Sequence, residues 1–416
     1  MEVKPGYKQT EVGVIPEDWH MTLLDSLAKR GSGHTPSKRY PEYWNGSVKW
    51  ISLADSQNLD QGYINDTFAT ITQLGIANSS AVIYPPETVV LSRDAGVGKS
   101  AIMGREMAVS QHFIAWTCGA GLSNQFLYHT LQARKAEFER IANGSTIKTI
   151  GLPYFQDLLI LTPPIEEQHA IATTLSDMDA LLDGLDRLIA KKRAIKQAAM
   201  QQLLTGKTRL PGLSGAWKIK RLGDLGATYG GLVGKNKSDF GTGSAKYVPF
   251  INVVANVQID CTAFDAVNVE ATENQNKVAK GDLFFNGSSE TPEEVALCSF
   301  MAKEVKNLYL NSFCFGLRVK NPEMIDGLFL AYYIRSPIGR DLMKSLAQGS
   351  TRYNLSKRAL LEAQLPLPEK EEQTAIATAL SDMDAEITAL ETRRTKTRAL
   401  KQAMRQELLT GRTRLV

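Results

Sequence analysis

Residues 38–50, KRYPEYWNGSVKW, interleave Lys38, Arg39 and Lys49 with Tyr40, Tyr43, Trp44 and Trp50. Cations bind phosphates, and flat rings stack on bases or wedge between them. The plainer alternative is a half-buried strand and loop with ordinary surface lysines. Two Gly-Ser-Thr stretches bring small hydroxyl groups close to bases. Ser145 and Thr146 lie near Lys148, and Ser350 and Thr351 lie near Arg352, Lys357 and Arg358. Hydroxyls and backbone N–H groups beside a cation suit contact with phosphate oxygens, although a capping turn would use the same residues. The later half offers weaker counterparts of the first stretch in Lys235, Asn236 and Lys237, and in the run Asn286, Gly287, Ser288 and Ser289.

Other chemistries fail on specific residues. SRDAGVGKS at 92–100 resembles a phosphate loop, but Arg93 stands where the first glycine must be. A turn between two strands that presents Arg93 and Lys99 is the better reading. YPPE at 84–87 and TPPI at 162–165 lack the side-chain amide and the aromatic ring of an amino-methyltransferase site. Cys118, Cys261, Cys298 and Cys314 form no CxxC pair, and the five histidines form no HExxH. The expectation is a chain with no catalytic centre, metal or cofactor of its own.

These candidates hang on a frame that the chain writes twice. Residues 166–210 recur at 371–415 with a constant offset of 205, and 28 of 45 positions are identical without a gap. Each copy predicts one long helix. Ile171, Leu175, Met178, Leu182, Leu185 and Ile189 step by four and three, the spacing of a coiled-coil seam. Ile376, Leu380, Met383, Ile387 and Leu390 occupy the equivalent places. Acids fill the first half of each helix and bases the second, with Glu407 the one late acid. That order suits each helix dipole, and it favours antiparallel pairing of the two copies. Any solvated helix could show the same polarity; the duplicated apolar stripe argues for pairing.

Ahead of each helix lies a segment of short apolar runs separated by Gly, Asn and Asp turns. Residues 1–160 form the first recognition segment, opening with a polar arm to about residue 16, and 161–212 the first helix. Residues 213–365 form the second recognition segment and 366–416 the second helix. Trp19, Leu24 and Leu27 recur as Trp217, Leu222 and Leu225. Elsewhere the two segments share almost nothing. The expected fold is mixed α/β, with two α/β recognition domains separated by two long antiparallel coiled-coil helices in an internal pseudo-two-fold repeat. The balance of 48 Lys and Arg against 44 Asp and Glu permits a nucleic-acid partner without requiring one. No membrane span or signal peptide is read, so a cytoplasmic location is expected.

The layout resembles the specificity subunit of type I restriction–modification systems. The resemblance rests on PxxEEQxAIATxLSDMDA in both copies, on LLTGKTRL and LLTGRTRL at the helix ends, and on the opening GVIPEDW. It implies a DNA-binding, non-catalytic subunit with two recognition domains, each reading one half of a bipartite, asymmetric double-stranded site. It implies helices that fix the spacer and dock two methyltransferase subunits. S-adenosylmethionine would sit on those partners, and ATP and magnesium on restriction subunits where these join. It further implies that the chain ends lie close together. A coiled-coil scaffold that binds only proteins is the alternative from another class.

Overall fold

The protein is described by a computed structural model that covers residues 4–11, 13–144 and 147–415. It falls into two compact units. The first runs to Asp186 and takes in the chain again from Thr392; the second is Arg187–Glu391.

The two copies form helices Ile165–Leu203 and Lys370–Leu408, each of 39 residues. At 1.5 Å per residue each is ~60 Å long. Pro164 and Glu369 precede them, and Gly206 and Gly411 follow at φ +67° and +70°, the left-handed conformation that closes a helix end. Ile171, Leu175, Leu182, Leu185 and Ile189 are buried, as are Ile376, Leu380 and Ile387. Met178, Met383 and Leu390 are half-buried.

The same step of three and four continues beyond the apolar half. It passes through Lys192, Lys196, Ala199 and Leu203 in one helix, and through Arg394, Thr397, Lys401, Met404 and Leu408 in the other. Long cations thus cover the seam with their stems while their heads reach acids on the facing helix. In the first unit these pairs are Asp179 with Lys401, and Asp186 with Arg394 at 2.8 Å. In the second they are Lys192 with Glu386 at 2.6 Å, Lys196 with Asp384, and Arg193 with Glu391. From Asp179–Lys401 to Asp186–Arg394, and from Lys192–Glu386 to Lys196–Asp384, one number rises as the other falls, so the helices pair antiparallel. Shifting by 205 carries Asp179–Lys401 onto Asp384–Lys196.

Each unit closes its helix end on a tryptophan. Trp19 is fully buried and its indole N–H donates to Glu167 at 2.9 Å. Arg414 donates to the same buried carboxylate at 2.7 Å and to both oxygens of Asp18. The chain ends therefore meet in the first unit. In the second, Arg209 pairs with the buried Glu372 and donates to the Gly215 carbonyl at 2.8 Å.

The recognition segments are β-sheets backed by helices. In the first unit a five-stranded sheet runs in the order Ala28–Ser32, Phe113–Cys118, Val89–Ser92, Ser100–Met103, Tyr63–Ile64. A second sheet orders Ala69–Ile71, Trp44–Ile51, Met107–Val109, Ile83–Tyr84. The second unit repeats the first sheet as Gly226–Gly230, Cys314–Val319, Leu283–Asn286, Cys298–Phe300. It repeats the other as Asp265–Val267, Phe240–Val248, Leu308–Leu310.

Several local expectations are corrected. The polar arm is a hairpin, Tyr7–Thr10 with Gly13–Pro16. The stretch from Ser123 to Ala142, whose residues predict one helix, forms two, Asn124–Ala133 and Lys135–Ile141, and its counterpart GLFLAYYIRSPIGRDLMKSLA breaks at Ser336 before Pro337. KYVPFINV, whose apolar residues predict a strand, divides: the strand ends at Val248 and Phe250–Ala255 is a short helix, because Pro249 at its N-cap ends the strand pairing. NVQIDC, also a strand by its pattern, contributes only an isolated bridge at Gln258.

Two stability outcomes follow. Arg414→Ala leaves Glu167 buried without its cation and should cost about 3 kcal/mol by urea unfolding, while Arg412→Ala on the surface should cost less than about 0.5. An equal effect of the two would refute the assignment. His129 is buried against the first long helix, its Nε2 3.1 Å from Ser176 Oγ. Burial, and then the cations Lys401 and Arg405, hold it down at about 3, against 6.5 for the free side chain. Below about 6.5 the unfolded chain takes a proton that the folded one refuses, so stability falls as pH drops toward 3. At pH 4.5 the loss is about 3 kcal/mol. His129→Gln should remove that share of the difference between urea midpoints at pH 7.5 and 4.5; an unchanged difference would show that other groups set it.

Candidate nucleic-acid interface

In both units the strand that starts the central antiparallel trio hands over to loops at one end of the sheet. In the first unit a run of contacts joins four of them. The loop after Ala28–Ser32 reaches the turn before Phe113, which joins the two sheets, and there Thr35 Oγ1 donates to Gln111 Oε1 at 2.7 Å. At that turn Gln111 Nε2 lies 3.4 Å from His112 Nε2. His112 Nδ1 sits 2.7 Å from Asp94 Oδ2, on the turn after Val89–Ser92. Asp94 bridges to Thr149 on the Gly-Ser-Thr loop, and the Ala95 N–H donates to Lys148 O at 3.3 Å.

The second unit builds the same junction from other side chains. The Arg93 N–H donates to His112 O at 2.9 Å; its counterpart, Gly287 N–H, donates to Phe313 O at 3.0 Å. The Ile150 N–H donates to Arg93 O, and the Leu355 N–H donates to Gly287 O, both at 3.0 Å. Asn143 pairs with Thr149, and Gln348 pairs with Asn354, through reciprocal backbone bonds. Two glycines allow the loop after the first strand to lie on its neighbour. A Cβ on Gly33 would stand 1.7 Å from Val109 O, and one on Gly231 would stand 2.1 Å from Asn311 O.

The candidate residues sort on this frame. Lys38, Arg39 and Tyr40 are exposed on the loop after Ala28–Ser32. Trp44 and Trp50 pack edge to face at 5.2 Å, and their N–H groups hold the Ser37 and His34 carbonyls. Trp44 is therefore the brace of that loop and not a free stacking ring. Lys49 is paired with Asp66, whose carboxyl it pulls below the usual range. Arg93 lies beside Asp94, with its Nε 3.7 Å from Oδ1. Lys99 and Lys148 line a hollow of about 440 Å³ with Lys135 and Glu139. Lys99 Nζ also holds Ser56 O at 2.9 Å. Ser145 and Thr146 lie outside the described residues.

In the second unit the candidate residues divide. Lys237 is exposed. Ser288 pairs with Asn354, Arg352 Nη2 lies 3.3 Å from Ser288 Oγ, and Ser350 and Thr351 are exposed beside them. Lys235 and Asn286 are corrections. The Lys235 side chain is 6% exposed and neutralised by Glu273, whose carboxyl it holds at about 2. Asn286 is buried, with its Nδ2 on the Ser288 and Glu294 carbonyls and its Oδ1 on the Leu297 N–H, so it ties the turn and has no free group for phosphate. Sequence reasoning missed Gln111, His112 and Phe313. MAVSQHFIAW reads as one apolar run, which hides the turn between two sheets inside it; Ser110, followed by Gln111, was the available signal.

What the junction can do is bind a polyanion and present varied side chains to it. Among the described residues no helix is long and apolar enough to cross a membrane, and no cluster of His, Cys, Asp or Glu could hold a metal.

Comparison with known proteins places the same repeat elsewhere. The family described as type I restriction modification DNA specificity domain matches residues 16–194 and again 215–399. The MjaIX specificity subunit of Methanocaldococcus jannaschii is 27% identical over 233 residues, which are 53% of this chain and 54% of that one. This chain thus aligns with about half the length of that relative. The MjaVIII specificity subunit of the same organism is 22% identical over 96% of this chain and 94% of its own. A crystal structure of the type I restriction-modification S subunit from M. genitalium shares the fold, with a TM-score of 0.59 at 17% identity over 98% of each chain.

If Lys148 and Arg352 meet phosphates, Lys148→Ala and Arg352→Ala should each weaken duplex binding across all sequences. Each should also lower the slope of log affinity against log salt by about 1. Titrations at several salt concentrations check this; a loss confined to one base sequence would make either residue a base reader instead.

Proposed function

Because the chain belongs to the type I restriction modification DNA specificity family, we propose that it is the non-catalytic subunit that gives such a complex its DNA sequence. Each unit reads one half of a bipartite, asymmetric site in duplex DNA. The observation that carries this reading is the junction built twice from the same backbone bonds and filled with different side chains, Arg93, Asp94 and His112 in one unit and Gly287, Ser288 and Phe313 in the other. A symmetric target would need like chemistry in both. Phosphate contacts from Lys38, Arg39, Lys148, Lys237 and Arg352 supply affinity, and side chains at base edges supply sequence.

The long helices set the number of unread base pairs between the halves and dock two methyltransferase subunits. S-adenosylmethionine is bound by those subunits, and ATP and magnesium by restriction subunits where these join. The support for the spacer role is the continuity of both helices and their pairing along an unbroken step of three and four.

The test is a heptad inserted between Ala190 and Lys191, matched between Thr395 and Lys396, which keeps the seam in step. It adds about 10 Å, or about three base pairs. Footprinting and methylation mapping with the methyltransferase present should show the same two half-sites moved apart. Changed half-site bases with an unchanged spacer would defeat the proposal.

A further inference from the structure

Phe313 is 60% exposed in the turn that joins Leu308–Leu310 of one sheet to Cys314–Val319 of the other. A single exposed ring needs no reason, but apolar residues gathered on neighbouring turns mark a contact surface. The Phe313 backbone carbonyl is fixed by Gly287, and its own N–H donates to Asn311 Oδ1 at 2.9 Å, so the ring is presented from a braced turn. Two other exposed apolar residues stand on the segments tied to this turn. Val233, 71% exposed, follows Gly231 and Leu232, whose N–H groups bond Cys314 O and Leu310 O. Ile251, 67% exposed, follows the strand end Val248, whose carbonyl accepts from the Asn311 N–H at 3.2 Å. The Ile251 helix is itself clamped. The half-buried Arg335 donates to the Val253, Val254 and Asn256 carbonyls, and loss of solvent around it pulls its guanidinium down to about 10.

Cations stand close to this apolar tip. Arg352 reaches Ser288, one residue from Gly287. Lys357 Nζ lies 3.4 Å from where a Cβ of Gly230 would be. An apolar surface that meets phosphate-binding groups at its edge fits a DNA groove better than a protein core.

Resting on the reading given under Proposed function, we propose that Phe313 is a specificity-determining residue of the second unit. Its ring, with Val233 and Ile251, contacts the 5-methyl group of a thymine in the major groove. The reason for the base is chemical. A phenyl ring can neither donate nor accept a conventional hydrogen bond, and the thymine methyl is the one apolar group a base edge displays in that groove. The equivalent position in the first unit holds His112, a hydrogen-bonding side chain, so the two units differ in chemistry at one matched point.

The experiment uses the full chain with its methyltransferase partner on duplexes carrying its site, read first by methylome sequencing. Each thymine of the second half-site is replaced in turn by deoxyuridine, which lacks only the methyl group. One replacement should weaken binding by about tenfold. Phe313→Ala should lose about as much on the thymine duplex and no longer distinguish deoxyuridine, with its melting temperature, its salt dependence and the first half-site unchanged. Phe313→Leu, which keeps an apolar contact, should keep part of the discrimination. Full deoxyuridine tolerance by the parent chain overturns the proposal, as does a second half-site without thymine. So does weakening by Phe313→Ala with no deoxyuridine effect, the mark of a minor-groove wedge. A parent complex that binds no duplex overturns this proposal and the proposed function together.

Discussion

Antiparallel pairing of two copies of one helix is the constraint on which the rest depends. A copy that is apolar and acidic in its first half and basic in its second cannot pair well with itself in parallel, since like charges would face each other. Reversed, every acidic stretch meets a basic one, as Asp179 meets Lys401 and Asp384 meets Lys196. Each such exposed pair contributes only about 0–1 kcal/mol. Their role is direction and register; the stabilisation comes from Ile171, Leu175, Ile376 and Leu380, which are closed to solvent.

The recognition segments face a different demand. Strands such as Val89–Ser92 and Leu283–Asn286 are wholly buried and must keep packing. The loops beyond them are held by backbone bonds, which any side chain permits. Arg93 and Gly287 make the same two backbone bonds with nothing in common as residues. Even within the sheet one matched pair shows the freedom available. Thr88 and Thr117 lie side by side at 3.2 Å in the first unit, where the second has Asp282 bound to Arg318 and Tyr229. Burial drives the Tyr229 hydroxyl pKa well up, so it stays a donor to Asp282.

The helices were legible because period and repetition are sequence properties. The extension of the seam through Lys192, Lys196, Arg394 and Lys401 was not, since a cation at a seam position declares itself only when its acid partner is known. Local exposed residues, Lys38 and Arg352 among them, could be read from composition. Lys235 and Asn286 could not be told apart from them, because what buries each is a distant residue: Glu273 for the lysine, Leu297 for the asparagine. Phe313 was hidden for the opposite reason. Its neighbours are apolar strand residues, and sequence alone cannot say which ring of FCF points outward.

The break in the repeat also has a physical signature. In the second unit the helix end and the tryptophan entry are one continuous stretch, and Arg209 ties Glu372 to the Gly215 carbonyl within it. In the first unit the equivalent stretches lie far apart in the sequence, the helix end near Arg414 and the entry near Trp19. There Arg414 keeps the pair with Glu167 and gains both oxygens of Asp18, whose counterpart by the Trp19–Trp217 match is Ala216. The Arg414 guanidinium holds the Asp18 carboxyl below the usual carboxylate range. A fork that reaches two carboxylates at once thus does noncovalently what the peptide chain does in the other copy. The Gly411 backbone, packed against Pro16 too closely for any Cβ, fixes the approach of the two ends.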